Sequence, residues 1–274
     1  MTSALRLDAP AKLNLTLSVV GRRPDGHHLL DGIFVLLELA DRLLLMPGCS
    51  GLRVEGEGAG DLPLDETNLA LRGLRAGLGG APELACLAVE KRIPVAAGLG
   101  GGSSDAAAAW RLGTTWRGLD DAASDEDLTS LAGIGADVPF FAAQLPAARV
   151  TGIGERIEPV APEPRHVVLA HPPFGISTAA VFAELRPDEW GRLPNDLLAP
   201  ARRLRPELDD LFSAMAKAGG QPRLTGSGPT IFSLTDDPEQ AVGIATQLRE
   251  SGIRSTVTRT RVAPASIERT IDEE

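Results

Sequence analysis

The stretch Pro94-Val-Ala-Ala-Gly-Leu-Gly-Gly-Gly-Ser-Ser-Asp-Ala-Ala-Ala-Ala109 joins a glycine-rich run directly to a run of alanines. Glycine lets backbone N–H groups approach a ligand closely because it has no Cβ. Alanine is the strongest helix former, so the pattern predicts a helix that begins near Ser103 or Ser104. The first N–H groups of a helix are unpaired and attract anions. A serine cap alone would not require the five consecutive glycines and serines from Gly100 to Ser104, and we interpret this stretch as a phosphate-binding loop.

Two common phosphate-binding patterns do not fit this loop. A P-loop ends in Gly-Lys-Ser or Gly-Lys-Thr, whereas Gly102 is followed directly by Ser103. A dinucleotide fingerprint that starts at Gly98 requires glycine or alanine at position 103, which is again Ser103. A nicotinamide-dependent dehydrogenase is therefore disfavoured.

Composition narrows the class of protein further. A chain of 274 residues is long enough for one large or two modest domains. Its net charge of −10 argues against a nucleic-acid or membrane-surface partner. We find no signal-peptide pattern and no apolar run of about 18 residues, so we expect a cytoplasmic protein. The sequence leaves a monomer and a homodimer open. Cys49 and Cys86 lack metal-site spacing, and we expect small buried side chains rather than a disulfide framework.

Periodicity indicates a mixed fold in two parts. Residues 12–19 alternate between polar and apolar, which predicts a half-buried strand with Lys12 and Asn14 on one face. Helical and strand patterns mix along the chain, so the predicted class is α+β. Three prolines between Pro159 and Pro164 predict a boundary between a domain of residues 1–160 and one of residues 161–274.

The glycine-rich stretch resembles the Pro-x-x-x-Gly-Leu-Gly-Ser-Ser loop of the GHMP kinases. Its triple glycine resembles the loop found in one branch of that family, which phosphorylates 4-diphosphocytidyl-2-C-methyl-D-erythritol in the non-mevalonate isoprenoid pathway. The resemblance implies a lobe like the second domain of ribosomal protein S5, a ferredoxin-like C-terminal lobe, and ATP and Mg²⁺ as cofactors. The residues it assigns to ATP are Pro94, Val95, Ala96, Ala97, Gly98, Leu99, Gly100, Gly101, Gly102, Ser103, Ser104 and Asn68.

Two further motifs supply candidate catalytic residues. The run Gly135-Ala-Asp-Val-Pro-Phe-Phe141 resembles the family motif whose aspartate is the catalytic base, which implies that role for Asp137. The run Pro10-Ala-Lys-Leu-Asn14 resembles the motif whose lysine lies beside that base, which implies a catalytic Lys12. Taken alone, such an aspartate is usually a turn residue and such a lysine is usually solvated. The pair would supply the proton acceptor and positive charge that phosphoryl transfer requires.

The metal ligands are open at this point. Ser103 and Ser104 could donate to phosphate, and one of them could ligate Mg²⁺. No carboxylate ligand is evident, because Asp105 falls in the predicted first helical turn, where it would interact with the helix N-terminus.

The segment Gly21-Arg-Arg-Pro-Asp-Gly-His-His28 resembles the family's substrate motif, in which a tyrosine occupies the position of His27. The resemblance implies that His28 hydrogen-bonds cytosine and that His27 provides a stacking face in a chain without tyrosine. Phe182 corresponds to the aromatic residue on the other side of the base, with Thr178 in the same motif, although a core role for Phe182 is the alternative. Asn14 would contact the methylerythritol end.

Residues 223–230 match the family's second glycine motif, which would either approach the phosphate-binding loop closely or form a plain turn. Two other functions stay open: a GHMP kinase with a mevalonate-type or homoserine substrate, and a non-catalytic nucleotide-binding regulator. The presence of both Lys12 and Asp137 disfavours the regulator, and a substrate panel separates the kinases.

Overall fold

The computed structural model describes residues 4–80, 85–192 and 194–270, and within them the chain forms two β-sheets. The strands of the first sheet are β1 (Ala4–Arg22), β2 (His28–Pro47), β3 (Gly51–Gly56), β4 (Ala85–Lys91), β5 (Ala147–Gly152), β6 (Arg156–Pro159) and β11 (Glu268–Thr270). Those of the second are β7 (His166–His171), β8 (Arg223–Leu224), β9 (Ile231–Thr235) and β10 (Arg254–Arg259). The helices are α1 (Leu69–Gly77), α2 (Gly101–Trp116), α3 (Asp125–Ala132), α4 (Val138–Ala142), α5 (Thr178–Glu184), α6 (Leu198–Leu204), α7 (Leu208–Lys217) and α8 (Pro238–Glu250).

A long antiparallel hairpin of β1 and β2 organises the first sheet. The first half of β2 pairs with β5, and its second half pairs with β4, which in turn runs parallel to β3. The predicted strand of residues 12–19 lies inside β1, but its polar face is not solvated. Lys12 and Asn14 are buried because the glycine-rich stretch covers them, and the backbone N–H of Lys12 donates to the carbonyl of Leu99 at 2.9 Å.

The alanine-rich helix α2 begins two residues before its predicted start. Gly100, at φ 73°, precedes the first helical residue, and its carbonyl accepts the N–H of Ser104 at 2.9 Å. The serines therefore lie inside the helix rather than capping it. Helix α1 approaches α2 through Gly73, where an added Cβ would lie 2.0 Å from the carbonyl oxygen of Ala106. This close approach fixes α2 and the loop that leads into it.

The second sheet is antiparallel, in the order β10-β7-β9-β8. The proline-rich stretch 159–164 begins at the last residue of β6 and leads towards β7, while β11 returns to pair with β1. One hydrophobic cluster includes residues of both sheets, such as Phe34 of β2 and Ile231 of β9. The α+β class is confirmed. No helix in the described ranges is both long and apolar enough to cross a membrane.

The expectation that the cysteines are unpaired is wrong, because Cys49 and Cys86 form a disulfide with their Cα atoms 5.1 Å apart. Strand β4 lies between β2 and β3, so Cys86 stands opposite both Met46 of β2 and Gly51 of β3. The turn that connects β2 to β3 must pass over this end of β4, and Cys49 lies in that turn. The pairing follows from the strand order, which sequence spacing does not show.

His171 at the end of β7 makes the stability of this sheet sensitive to acid. Burial, together with the positive charge of Arg254, lowers the pKa of His171 to about 4. The unfolded chain, with an ordinary histidine pKa of 6.5, therefore binds the proton more tightly than the folded chain does.

We expect the free energy of unfolding to fall as the pH drops from about 6.5 to about 4, by roughly 3 kcal/mol from this group. His171→Gln should flatten that part of the profile, as measured by urea denaturation at a series of pH values. His166→Gln, at the other end of β7, is the matched control. An unchanged slope in His171→Gln would contradict this assignment.

Candidate active site

A cavity of about 580 Å³ brings together the residues that the sequence singled out. Its walls come from β1, from residues 94–103, from the turn before α4 and from α5, with residues 226–227 closing one side. We call residues 94–104 the glycine loop and residues 225–229 the second loop. The charged side chains on the wall are Lys12, Lys91, Asp105 and Asp137.

Lys12 is a buried cation with three neighbours. Its Nζ donates to Asn14 Oδ1 at 2.6 Å, lies 3.5 Å from Asp137 Oδ2, and stands 5.2 Å from the centre of the Phe34 ring. A buried ammonium group must be paired to offset the loss of hydration, and these contacts do so. Lys12 and Asp137 therefore form one charged unit on the cavity wall.

Asp137 stands at the residue before α4, where its side chain makes no capping hydrogen bond. About a third of the side chain is exposed, so one face of the carboxylate is accessible from the cavity. The turn that carries it is fixed from two sides. Arg72 of α1 donates to the carbonyl of Gly133 at 3.0 Å, and an added Cβ on Gly154 would lie 2.5 Å from the carbonyl oxygen of Ala136.

The second loop packs directly on the glycine loop. An added Cβ on Gly98 would lie 2.7 Å from the carbonyl oxygen of Gly228 and 2.8 Å from that of Thr225. Thr225 Oγ1 in turn accepts the backbone N–H of Asn14 at 3.2 Å. The geometry thus favours close approach over a plain turn for residues 223–230. Sequence reasoning missed Asn195, whose buried amide donates to the carbonyls of Leu224 and Gly226, each at 2.9 Å.

A buried cluster of three charged side chains lies next to the glycine loop, at Gly101. Lys91 Nζ contacts the carboxylates of Asp41 and of Asp105, the latter at 2.6 Å. Burial alone would lower the pKa of Lys91, but the two carboxylates outweigh it and raise the pKa. Burial raises the pKa of Asp105 to about 7, against the opposing effect of Lys91. Because α2 begins at Gly101, Asp105 lies in its second turn, and its main partner is Lys91 rather than the helix N-terminus.

Two of the predicted base-binding residues, His28 and Phe182, form an aromatic group with Trp190 beside the cavity. The ring of His28 stacks on Phe182, with centroids 5.2 Å apart and planes at 23°, and meets Trp190 edge-on at 6.0 Å. Burial and the charge of Arg22 lower the pKa of His28, so its imidazole is neutral at neutral pH. His27 points away from this group: two thirds of its side chain is exposed, and it contacts Asp25 at 3.2 Å. Sequence reasoning missed Trp190.

The other predicted residues fall at or near the cavity. Of the glycine loop, residues 94–103 line it, whereas Ser104 is buried with no partner for its hydroxyl among the described residues. Thr178 lines it too, and its hydroxyl lies 2.8 Å from that of Ser227. Asn68 also lines it, but its amide caps α1 and donates to the carbonyl of Pro63. In the described parts of the chain, no three His, Cys, Asp or Glu side chains cluster as a metal site.

Comparison with known proteins places this geometry in a family. The profile of the GHMP kinase N-terminal domain matches residues 64–144, and that of the GHMP kinase C-terminal domain matches residues 179–254. These matches identify the chain as a GHMP kinase and confirm the two-lobed fold that the motifs implied.

The 4-diphosphocytidyl-2-C-methyl-D-erythritol kinase of Nocardia farcinica is 38% identical, over 99% of this chain and 98% of its own. The same-named protein of Dinoroseobacter shibae is 39% identical over 88% of each chain. A crystal structure of 4-(cytidine 5'-diphospho)-2C-methyl-D-erythritol kinase superposes with a TM-score of 0.76 at 35% identity, covering 93% of this chain and 98% of that one. The chain belongs to this branch of the GHMP kinases.

The contact between the two loops generates a stability prediction. Gly98→Ala should lower the free energy of unfolding by about 1–3 kcal/mol, because the new Cβ meets two carbonyl groups at a position with φ 76°. Gly102→Ala is the matched control: it lies in α2, and an added Cβ has Leu69 as its nearest neighbour at 3.5 Å. Chemical denaturation of both variants checks this, and equal stabilities would contradict the loop contact.

Proposed function

We propose that this chain transfers the terminal phosphoryl group of ATP to the 2-hydroxyl of 4-diphosphocytidyl-2-C-methyl-D-erythritol, in the non-mevalonate isoprenoid pathway. The observation that carries the proposal is the Lys12–Asp137 pair, which stands in the same cavity as the backbone of the glycine loop. Relatives that bear this kinase name, at close to 40% identity over most of the chain, support the choice of substrate.

The residues divide the reaction between them. The glycine loop and the first turn of α2 offer N–H groups and partial positive charge to the phosphates of ATP. Asp137 accepts the proton of the acceptor hydroxyl, since its carboxylate is accessible and has no capping role. Lys12, held by Asn14 and 3.5 Å from Asp137, stabilises the negative charge that develops on the attacking oxygen.

The cytidyl end is assigned to the aromatic group of His28, Phe182 and Trp190. A neutral imidazole carries one donor and one acceptor nitrogen, which suits the hydrogen-bonding edge of cytosine. Phe182 lines the cavity and supplies a stacking face. Thr178, Asn14 and Asn68 line the same cavity. We assign Asn14, which contacts Lys12, to the methylerythritol end and Asn68 to adenosine.

Mg²⁺, when bound with ATP, neutralises charge on the phosphates, and oxygen side chains on the cavity wall suit it. The lobes of residues 1–160 and 161–274 act as the two walls of the site. The cytoplasm, where ATP is available, is the proposed location.

An assay of ADP release tests the function. With 4-diphosphocytidyl-2-C-methyl-D-erythritol and MgATP, we expect substrate-dependent ADP formation, and with mevalonate or homoserine we expect background only. Turnover of mevalonate or homoserine alone would replace the proposed substrate. ATP binding without turnover of any of the three would support the non-catalytic regulator.

Asp137→Asn keeps the shape of the side chain but removes the proton acceptor. We expect kcat to fall by about 10²-fold or more, with ATP affinity little changed. Steady-state kinetics and calorimetric titration of ATP check this. Asp125→Asn, an exposed aspartate of α3, is the control. Near wild-type turnover in Asp137→Asn would exclude Asp137 as the base.

His28→Ala should weaken binding of the cytidyl substrate by about 1–3 kcal/mol, because it leaves a polar edge of the base unpaired. His27→Ala should cost less, since that side chain is largely exposed and contacts Asp25. Calorimetry with the cytidyl substrate measures both effects, with ATP affinity as the control. If His28→Ala binds that substrate as tightly as wild type, the cytosine site lies elsewhere.

A further inference from the structure

Asp105 lines the cavity and carries a buried carboxylate oxygen that has no partner among the described residues. Asp105 is 5% exposed, and its Oδ2 accepts from Lys91 Nζ at 2.6 Å. Its Oδ1 is fully buried and makes no hydrogen bond within the described residues. An unpaired buried acceptor is costly and uncommon in folded proteins, so this oxygen calls for a partner that the chain itself does not supply.

The neighbouring Asp41 differs from Asp105, because both of its carboxylate oxygens have partners within the fold. Asp41 Oδ1 accepts the backbone N–H groups of Arg92 at 2.6 Å and Ile93 at 2.8 Å, and its Oδ2 contacts Lys91. Both of its oxygens are thus used inside the fold. Asp105 binds the same lysine, but one of its oxygens has no hydrogen-bond partner among the described residues. Of the two aspartates, only Asp105 lines the cavity.

The position of Asp105 relates this oxygen to the phosphate site. It lies on α2 as the first residue after the glycine loop, one turn beyond Gly101, and its partner Lys91 has Nζ 3.4 Å from where a Cβ on Gly101 would stand. The unpaired oxygen of Asp105 and the backbone of the glycine loop therefore lie at the same end of α2.

The charged side chains of the cavity wall do not neutralise a bare nucleotide triphosphate. Lys12 and Lys91 are matched by Asp105 and Asp137, and Lys91 also pairs with Asp41, so these side chains supply no net positive charge. The helix N-terminus offsets only about half a charge. A tetra-anionic ligand would require an added cation, and Mg²⁺ is commonly held by one or two carboxylates together with substrate phosphates.

We propose that Asp105 is the protein carboxylate for the divalent cation of the nucleotide–metal complex, with Oδ1 as the ligand atom, directly or through one water. Lys91 is the positioning residue that holds the Asp105 carboxylate at the mouth of the glycine loop. The inference rests on the proposed function, because it requires a nucleotide in the cavity.

Calorimetry of a non-hydrolysable ATP analogue, AMP-PCP, tests the role of Asp105 without turnover. The quantity measured is the ratio of its Kd in EDTA to its Kd in MgCl₂, for wild type and for Asp105→Asn. We expect the substitution to reduce this ratio about tenfold or more, through weaker binding with Mg²⁺ and not through weaker binding without it. An unchanged ratio overturns the proposal.

Asp41→Asn is the matched control, because it breaks the same ion cluster but removes no free oxygen. We expect its ratio to stay near that of wild type even if its melting temperature falls. An equal loss of the ratio in Asp41→Asn and Asp105→Asn would mean that the cluster acts only as a structural unit, which also overturns the proposal. Failure of wild type to bind AMP-PCP at all would instead count against the proposed function.

A spectroscopic measurement keeps the proposal testable if Asp105→Asn does not fold. In wild-type enzyme labelled with ¹³C at the aspartate carboxylates, Mn²⁺ with AMP-PCP should show an electron–nuclear coupling to ¹³C. The coupling should persist in labelled Asp137→Asn. Its absence in wild type, or its loss in Asp137→Asn, would exclude Asp105 as the ligand.

Discussion

The burial of Lys12 is the constraint on which the rest of the site depends. An ammonium group that is 4% exposed loses most of its hydration, at a cost of several kcal/mol unless acceptors replace the water. Three groups take the place of water. Asn14 comes from the same strand as Lys12, Asp137 from the turn before α4, and the Phe34 ring from β2. The backbone of Lys12 also binds the glycine loop at Leu99. Satisfying one cation thus brings together the carboxylate proposed as the base and the backbone proposed to bind phosphate.

The local parts of this arrangement could be predicted from the sequence. A glycine run before an alanine run has few structural meanings, and the motifs around Lys12 and Asp137 are contiguous. What depends on long-range contacts could not be predicted. The alternation in β1 indicated a solvated face for Lys12, because nothing in that segment shows that the glycine loop covers it. The support of the second loop by Asn195 and the disulfide between Cys49 and Cys86 arise from topology alone.

The aromatic group proposed for the cytidyl end consists of His28, Phe182 and Trp190, in a chain without tyrosine. His28 stacks on Phe182 at 5.2 Å, which leaves no room for a third ring between them. A bound base must therefore separate these rings or stack on the outer face of the pair, and Trp190 fixes the edge of His28 in either case. His27 was the expected substitute for the tyrosine, yet its exposed side chain and its contact with Asp25 keep it outside this group. Its predicted stacking role stays a prediction that only a bound base can test.

In the proposed reaction Lys12 and Asp137 act as one catalytic unit, and a double-mutant cycle on kcat is the most direct test. The cycle compares Lys12→Met, Asp137→Asn and the double variant under saturating ATP and cytidyl substrate. If the two side chains serve one proton transfer, the double variant should be about as slow as the slower single variant, as expected for residues that act together. Losses that multiply across the cycle would show that the residues act independently and would contradict the account.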